Sequence, residues 1–262
     1  MVDDVTVLIL TLNEAPNIAR TLEALRWAKD IVVVDSGSYD ETLQIARSFS
    51  NVRFFQNIFK NHADQWTFAL RETQVKTEWV LALDADYWVP ADFVEELKHL
   101  VPPDDVTGYQ ARFKYRIFGQ CLRQSLYPDV TVLFRRKSAS YCQDGHTQRV
   151  QLRGRVEKLN SFIVHDDRKT FAYWRMSQEK YMKLEAQKLL GTGFRDLSWQ
   201  DRIRKTRLLG PPAVLVYCLL FKGLLFGGWP GICYSFQRLF AESLLSLRLF
   251  EQAFKHRNVN EK

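Results

Sequence analysis

The chain has 262 residues, 46% of them hydrophobic and 26% charged, enough for one large α/β domain with an appendage and unlike a disordered or collagen-like chain. A net charge of +7 and a pI near 9.2 suit nucleic acid, anionic lipid headgroups or a diphosphate, without choosing among them. Cys121, Cys142, Cys218 and Cys233 form no C-x-x-C pair and have no histidine cluster beside them, which points to reduced cytoplasmic thiols rather than a zinc site or a disulfide framework.

Met1-Val2-Asp3-Asp4 runs straight into an apolar segment, with no basic n-region or cleavage site, so no signal peptide is expected. Val5–Leu12 is a continuous apolar, β-branched run that predicts a strand buried on both faces. Asn13-Glu14-Ala15-Pro16 opens a helix carrying Ile18, Leu22 and Leu25. Ile31–Asp35 predicts a second buried strand, Ser36–Tyr39 a turn, and Asp40 the cap of a helix carrying Ile45, Ala46 and Phe49. A third strand falls at Asn51–Phe55, and Ala63, Trp66, Ala69, Leu70 and Thr73 are spaced for a helix. Trp79–Leu83 predicts a fourth strand ending in Asp84-Ala85-Asp86, followed by a helix over Pro90–Leu100.

Repeated β-α-β units imply an α/β fold with a doubly wound, mostly parallel sheet. Between Gly108 and Val164 short alternating stretches predict antiparallel strands added to it, and from Phe171 the chain reads as helical. The expected division is an α/β domain over 1–168 and a helical extension over 169–262.

Ligands of open parallel sheets sit beyond the carboxyl ends of the strands. Three buried strands end in polar groups there: Thr11-Leu12-Asn13-Glu14, Asp35-Ser36-Gly37-Ser38 and Asp84-Ala85-Asp86. Asp84 and Asp86 suit a Mg²⁺ or Mn²⁺ ion that completes its shell with substrate phosphates; the competing reading is a solvated turn with two capping acids. Asp35 suits a nucleobase or ribose contact, against a turn held by an Asx hydrogen bond. Thr11, Asn13 and Glu14 could line the nucleotide, and Asn61–Trp66 could contact it.

These segments resemble the three signatures of family 2 glycosyltransferases with the GT-A fold. Thr11–Glu14, Val33–Thr42 and Trp79–Asp86 carry the resemblance over the first hundred residues. Asp144–Val150 and His165–Lys169 are similar to the branch that includes lipopolysaccharide core β-glucosyltransferases. The resemblance implies an inverting transfer of a hexose from a nucleoside-diphosphate sugar, by default a UDP-sugar, to a glycan or lipid-linked acceptor in envelope polysaccharide or lipopolysaccharide synthesis. It implies Asp144 as general base, with His146 as its rival, and His165 as a metal ligand. The chain departs from the pattern at Gln143-Asp144, where many members carry Glu-Asp, and at Tyr87-Trp88, where many carry Glu. Those two aromatics could stack on a sugar or belong to the core. Arg168 could meet the diphosphate, while Lys169 reads as surface charge.

Ala213–Gly227 is apolar but interrupted by glycines and too short for a spanning helix; with the basic, aromatic stretch that follows, it predicts a peripheral contact with the inner face of a membrane. A dinucleotide-binding enzyme would need a glycine-rich first turn, absent here, and the dispersed basic residues carry no nucleic-acid motif. The alternative that survives is a catalytically inactive nucleotide-sugar-binding module on the same fold.

Overall fold

The computed structural model describes residues 1–145 and 147–260, with side chains through Phe254. The chain divides into two compact units. The first comprises Met1–Gly119, Tyr127–Gln143 and Thr147–Lys169; the second comprises Gln120–Leu126, Asp144–His146 and Thr170–Lys262.

The strands are β1 (Val5–Thr11), β2 (Asp30–Asp35), β3 (Val52–Gln56), β4 (Trp79–Asp84), β5 (Tyr87–Trp88), β6 (Val106–Ile117), β7 (Gln120–Cys121), β8 (Val130–Arg135), β9 (Ala139–Asp144), β10 (Thr147–Leu152) and β11 (Arg155–His165). The helices are α1 (Ala15–Ala24), α2 (Thr42–Arg47), α3 (His62–Arg71), α4 (Ala91–His99), α5 (Phe171–Gly191), α6 (Trp199–Lys205), α7 (Gly210–Val216) and α8 (Trp229–Asn260).

In the first unit the main sheet runs in the order β3-β2-β1-β4-β8-β6-β11-β5. The first four strands are mutually parallel, as their uninterrupted apolar runs require of strands covered on both faces. β8 is antiparallel to both β4 and β6. β11, however, runs parallel to β6, where antiparallel additions were expected. The chain makes this possible by returning through β8 and the separate β9–β10 ribbon before entering β11. The resulting α/β architecture is parallel in its first half and mixed beyond β4.

The core lies on both faces of the sheet. Ile18 and Leu22 of α1 and its C-cap Leu25, with Phe93 and Leu97 of α4, are wholly buried against one side. Trp66, Ala69 and Leu70 of α3 cover the other, over Leu8, Val32 and Val80. Each large apolar side chain so buried contributes about 1.5–3 kcal/mol relative to exposure.

The second unit is helical, with a core of Met182, Ala186 and Leu189 from α5, Leu197, and Ala241, Leu245 and Leu249 from α8. Thr170 and Ser198 cap α5 and α6 through their hydroxyls. Arg204 bridges three elements here: its Nε lies 3.1 Å from both Glu242 carboxylate oxygens, and its Nη1 lies 3.1 Å from Glu185 Oε2. The apolar stretch from 213 to 227 is not one helix. α7 gives way to a π-helical turn at Tyr217–Phe221 and a 3₁₀ turn at Leu224–Gly227, broken by positive φ at Gly223 and Gly228. No helix of the described residues is long and apolar enough to cross a membrane.

Candidate active site

The carboxyl ends of β1, β2 and β4 converge, as open-sheet topology dictates. The first two loops are bonded to each other. Asp35, 1% exposed, accepts from the hydroxyls of Thr11 (2.9 Å) and Ser38 (2.5 Å) on Oδ1, and from the backbone N–H groups of Gly37 (2.9 Å) and Ser38 (2.8 Å) on Oδ2. Four donors fill the acceptor capacity of a carboxylate. Asp35 thereby holds the turn, with Gly37 supplying φ +96°.

Asn13 stands at φ 55°, a rare conformation for a non-glycine residue. Its N–H donates to Ser38 Oγ, and its side-chain oxygen accepts from the Tyr39 N–H. Asp40 accepts from the Ala15 N–H at the start of α1 and from the Thr42 N–H at the start of α2, so one carboxylate serves both helices. Asn61 is an N-cap, accepting from the Asp64 N–H, while Gln65 reaches the Ser36 hydroxyl at 3.0 Å.

Asp84 and Asp86 follow at the end of β4. Thr21 of α1 holds their turn, its hydroxyl within hydrogen-bond distance of the Ala85 and Tyr87 carbonyl oxygens. Asp86 meets His165, at the end of β11, with Oδ2 and Nε2 3.0 Å apart. Burial pushes the Asp86 carboxyl up, but the charge and hydrogen bond of His165, together with Lys169, outweigh it and hold the carboxyl at about 2. Burial pulls the imidazole down, and the Asp86 charge outweighs that, leaving it raised. Asp84 moves the other way, to about 6, because burial and the neighbouring Asp86 charge both disfavour its ionised form.

Among the described residues, the buried Asp86 Oδ1 and His165 Nδ1 have no hydrogen-bond partner. Asp86 Oδ2 and His165 Nε2, both metal-ligand types, face each other at 3.0 Å, so the pair fits two adjacent positions around a divalent cation, although among the described residues no group of three or more His, Cys, Asp or Glu side chains surrounds one position. A two-residue protein anchor matches Mg²⁺ or Mn²⁺, which take remaining ligands from phosphate and water.

One face of α1 completes the site. Asn17, fully buried, donates to Glu14 Oε2 (2.8 Å) and Asp167 Oδ1 (2.9 Å) and accepts from the Arg168 N–H (2.9 Å). Arg20 binds Asp166, which is 2% exposed and also has Arg168 at 3.4 Å and Arg116 at 3.8 Å. Three guanidinium groups on one carboxylate leave excess positive charge, and Arg20 also approaches the Asp86 carbonyl oxygen at 3.5 Å. Lys169 is not surface charge: its ammonium is largely buried and sits 2.5 Å from Glu14 Oε1, which corrects the sequence expectation. Burial, chiefly, lifts Glu14 to about 7 despite this partner, with the Asp86 charge adding to the rise.

Sequence reading missed Asn17, Arg20, Thr21 and Asp166. A signal was present: Glu14, Asn17, Arg20 and Thr21 recur at helical spacing, a polar stripe on a helix whose other face is apolar. Of the two aromatics after the acids, Tyr87 is core, bonded to the Tyr127 hydroxyl and packed on Phe113 and His165. Trp88 carries the Arg116 guanidinium over its ring.

Asp144 belongs to the second unit, where Lys188 Nζ lies 2.8 Å from its Oδ1. His146, the rival base, lies outside the described residues.

The sequence model described as "Glycosyl transferase family 2" matches residues 6–148, more than half of the chain. The chain belongs to glycosyltransferase family 2. A lipopolysaccharide core biosynthesis glycosyltransferase, LpsC of Rhizobium meliloti, is 32% identical over 115 residues, 42% of this chain and 42% of that protein. An uncharacterized glycosyltransferase of Rickettsia prowazekii, RP128, is 24% identical over 176 residues, 62% of this chain and 59% of that protein. The matches thus span less than two thirds of these relatives. Among solved structures, S. aureus TarS 1-349 in complex with UDP-GlcNAc is similar with a TM-score of 0.48 and 15% identity, over 96% of this chain and 91% of that one. Glucosyl-3-phosphoglycerate synthase from Mycobacterium tuberculosis, in complex with Mn²⁺, UDP and phosphoglyceric acid, gives 0.45 and 15%, over 70% and 78%. The family 2 chain therefore carries its matched region across β1 to β9 and the start of β10.

Proposed function

We propose that this family 2 chain transfers a hexose, with inversion, from a UDP-sugar to a glycan or lipid-linked acceptor in lipopolysaccharide or envelope polysaccharide synthesis, at the cytoplasmic face of a membrane. The observation that carries the reading is the Asp86–His165 pair, its carboxylate and imidazole facing each other at 3.0 Å, beside the arginines gathered on Asp166. The lipopolysaccharide context follows the relative named for core biosynthesis.

Asp86 and His165 would hold Mn²⁺ or Mg²⁺, which when bound neutralises charge on a departing diphosphate. Asp84 lies beside them for the donor. Arg20, Arg116 and Arg168 would face the diphosphate oxygens with charge-assisted hydrogen bonds. Thr11, Asn13 and Glu14 would line the nucleotide, and Asp35 contributes as a positioning residue, keeping their loop in place. Asp144 would take the proton of the acceptor hydroxyl as that oxygen attacks the anomeric carbon and UDP leaves, with Lys188 paired to its carboxylate.

UDP release from UDP-sugars, with and without Mn²⁺, tests the reading. Asp86→Asn is expected to lose it, while Asp144→Asn is expected to bind donor and fail to transfer. Metal-independent turnover untouched by Asp86→Asn would sink the proposal, and UDP binding without turnover under any condition would favour the inactive module.

A further inference from the structure

The second unit carries the whole net charge of the chain. Residues 170–262 hold 15 Lys and Arg against seven Asp and Glu, a net +8, whereas residues 1–169 hold 22 against 23. The same unit exposes the largest apolar side chains. Helix α8 buries one face through Ala241, Leu245 and Leu249. With 3.6 residues per turn, Trp229, Ile232, Phe236, Phe240, Leu247 and Phe254 fall about 140–220° away from that face. All six are exposed, Phe236 by 57% and Leu247 by 65%. This outer stripe is about 37 Å long at 1.5 Å per residue. The charged residues of α8 before Glu251, namely Arg238, Glu242 and Arg248, lie on the other side. A surface helix ordinarily shows a polar face to water, so a second apolar stripe marks a contact surface.

The turn leading into α8 extends the stripe. Leu224 and Cys218 are fully buried, and Gly231 approaches so closely that a Cβ there would meet the Leu224 carbonyl oxygen at 2.3 Å. The turn is therefore fastened from inside. Its outer side chains, Leu220, Phe221 and Phe226, nevertheless point to solvent, with Phe221 and Phe226 77% and 75% exposed. Lys222 stands between them, its ammonium 5.9 Å from the Tyr217 ring centroid.

We infer that this face is a lipid-docking surface: the 220–226 turn and the outer stripe of α8 lie in the headgroup region of an anionic bilayer, with Lys222 of the turn among the headgroups and the net positive charge of the unit drawing it to the surface. Charge complementarity selects an anionic lipid surface over a second copy of the chain, which would bring two such basic units together. No described helix spans a membrane, so the attachment is parallel to the surface and reversible. Basic groups near an anionic leaflet and buried aromatic area add in this mode. The inference deepens the membrane part of the proposed function and is independent of donor chemistry.

Co-sedimentation of the full chain with phosphatidylcholine vesicles, with and without phosphatidylglycerol, tests it in the absence of nucleotide. Binding is expected to the anionic vesicles only. It should weaken about tenfold or more in Phe221→Glu/Phe226→Glu and in Phe236→Glu, with circular dichroism and melting unchanged; these side chains are exposed, so the fold tolerates their loss. Lys222→Glu should weaken it and flatten its salt dependence. No binding to anionic vesicles overturns the inference. So does a dimer, seen by sedimentation equilibrium, that Phe236→Glu dissociates without changing vesicle binding. Vesicle binding by a chain that binds no UDP would keep this surface and remove the donor reading instead.

Discussion

Asp86 and His165 meet 3.0 Å apart across the ends of β4 and β11, 79 residues apart in sequence, and each keeps one buried ligand atom unsatisfied. A buried carboxylate–imidazole pair with open valences is costly unless something else binds there. His165→Ala is expected to weaken Mn²⁺ binding in the presence of UDP by at least about tenfold, measured by calorimetry, with little change in fold. Unaltered Mn²⁺ affinity would remove His165 from the site.

Asn17 ties α1 to the loop after β11 through three hydrogen bonds, all buried. Asn17→Ala leaves Asp167 and the Arg168 N–H without these partners. Loss of about 2–3 kcal/mol in denaturant unfolding is expected, together with weaker UDP binding because Arg168 and Lys169 lose their anchor. An unchanged midpoint would show that the loop is held by other contacts.

Asp35→Ala leaves the Gly37 and Ser38 N–H groups without their acceptor. Stability should fall by about 1–3 kcal/mol, and the ranking of UDP over other nucleoside diphosphates should not change. A change of base preference with stability intact would make Asp35 a direct reader of the nucleobase.

The sequence shows its strands where burial is two-sided. β1, β2 and β4 are apolar runs without breaks, and their polar ends, Thr11–Glu14, Asp35–Ser38 and Asp84–Asp86, are where the loops of the site occur. β11 was legible only in its last residues, because its first half, Arg155–Asn160, is largely exposed and polar. The parallel pairing of β6 with β11 depends on a return path through β8 to β10 that no local pattern encodes. The arginines on Asp166 come from α1, β6 and the loop after β11, so only the fold gathers them. In the tail, hydrophobicity was plain, yet the break into π and 3₁₀ turns rests on the backbone freedom of Gly223 and Gly228.

Asp30 joins β2 to β1 through the Thr6 hydroxyl and to β3 through Arg53, with Nε at 2.7 Å. Burial pushes its carboxyl up, but the hydrogen bonds from Arg53 and Thr6 outweigh this and leave it lowered. A lowered folded-state value means the stabilisation is present above the unfolded value of about 3.9 and is lost as pH falls through the folded value. Asp30→Asn is expected to cost about 1 kcal/mol at pH 7, a figure kept small by the partial exposure of the pair, and less as the pH drops below 4. An equal cost at pH 7 and at pH 2 would contradict this charge pairing.

The most direct test of the central claim is a thermal-shift screen of UDP, GDP, ADP and CDP, each with and without Mn²⁺, on the wild-type chain and on Asp86→Asn. A ligand at a hundred times its Kd adds about 2.7 kcal/mol, which for a chain of this size raises Tm by roughly 5–10 °C. The account predicts that rise for UDP with Mn²⁺ in the wild type and its disappearance in Asp86→Asn. A UDP-dependent rise that needs no metal, or that survives Asp86→Asn, would contradict it.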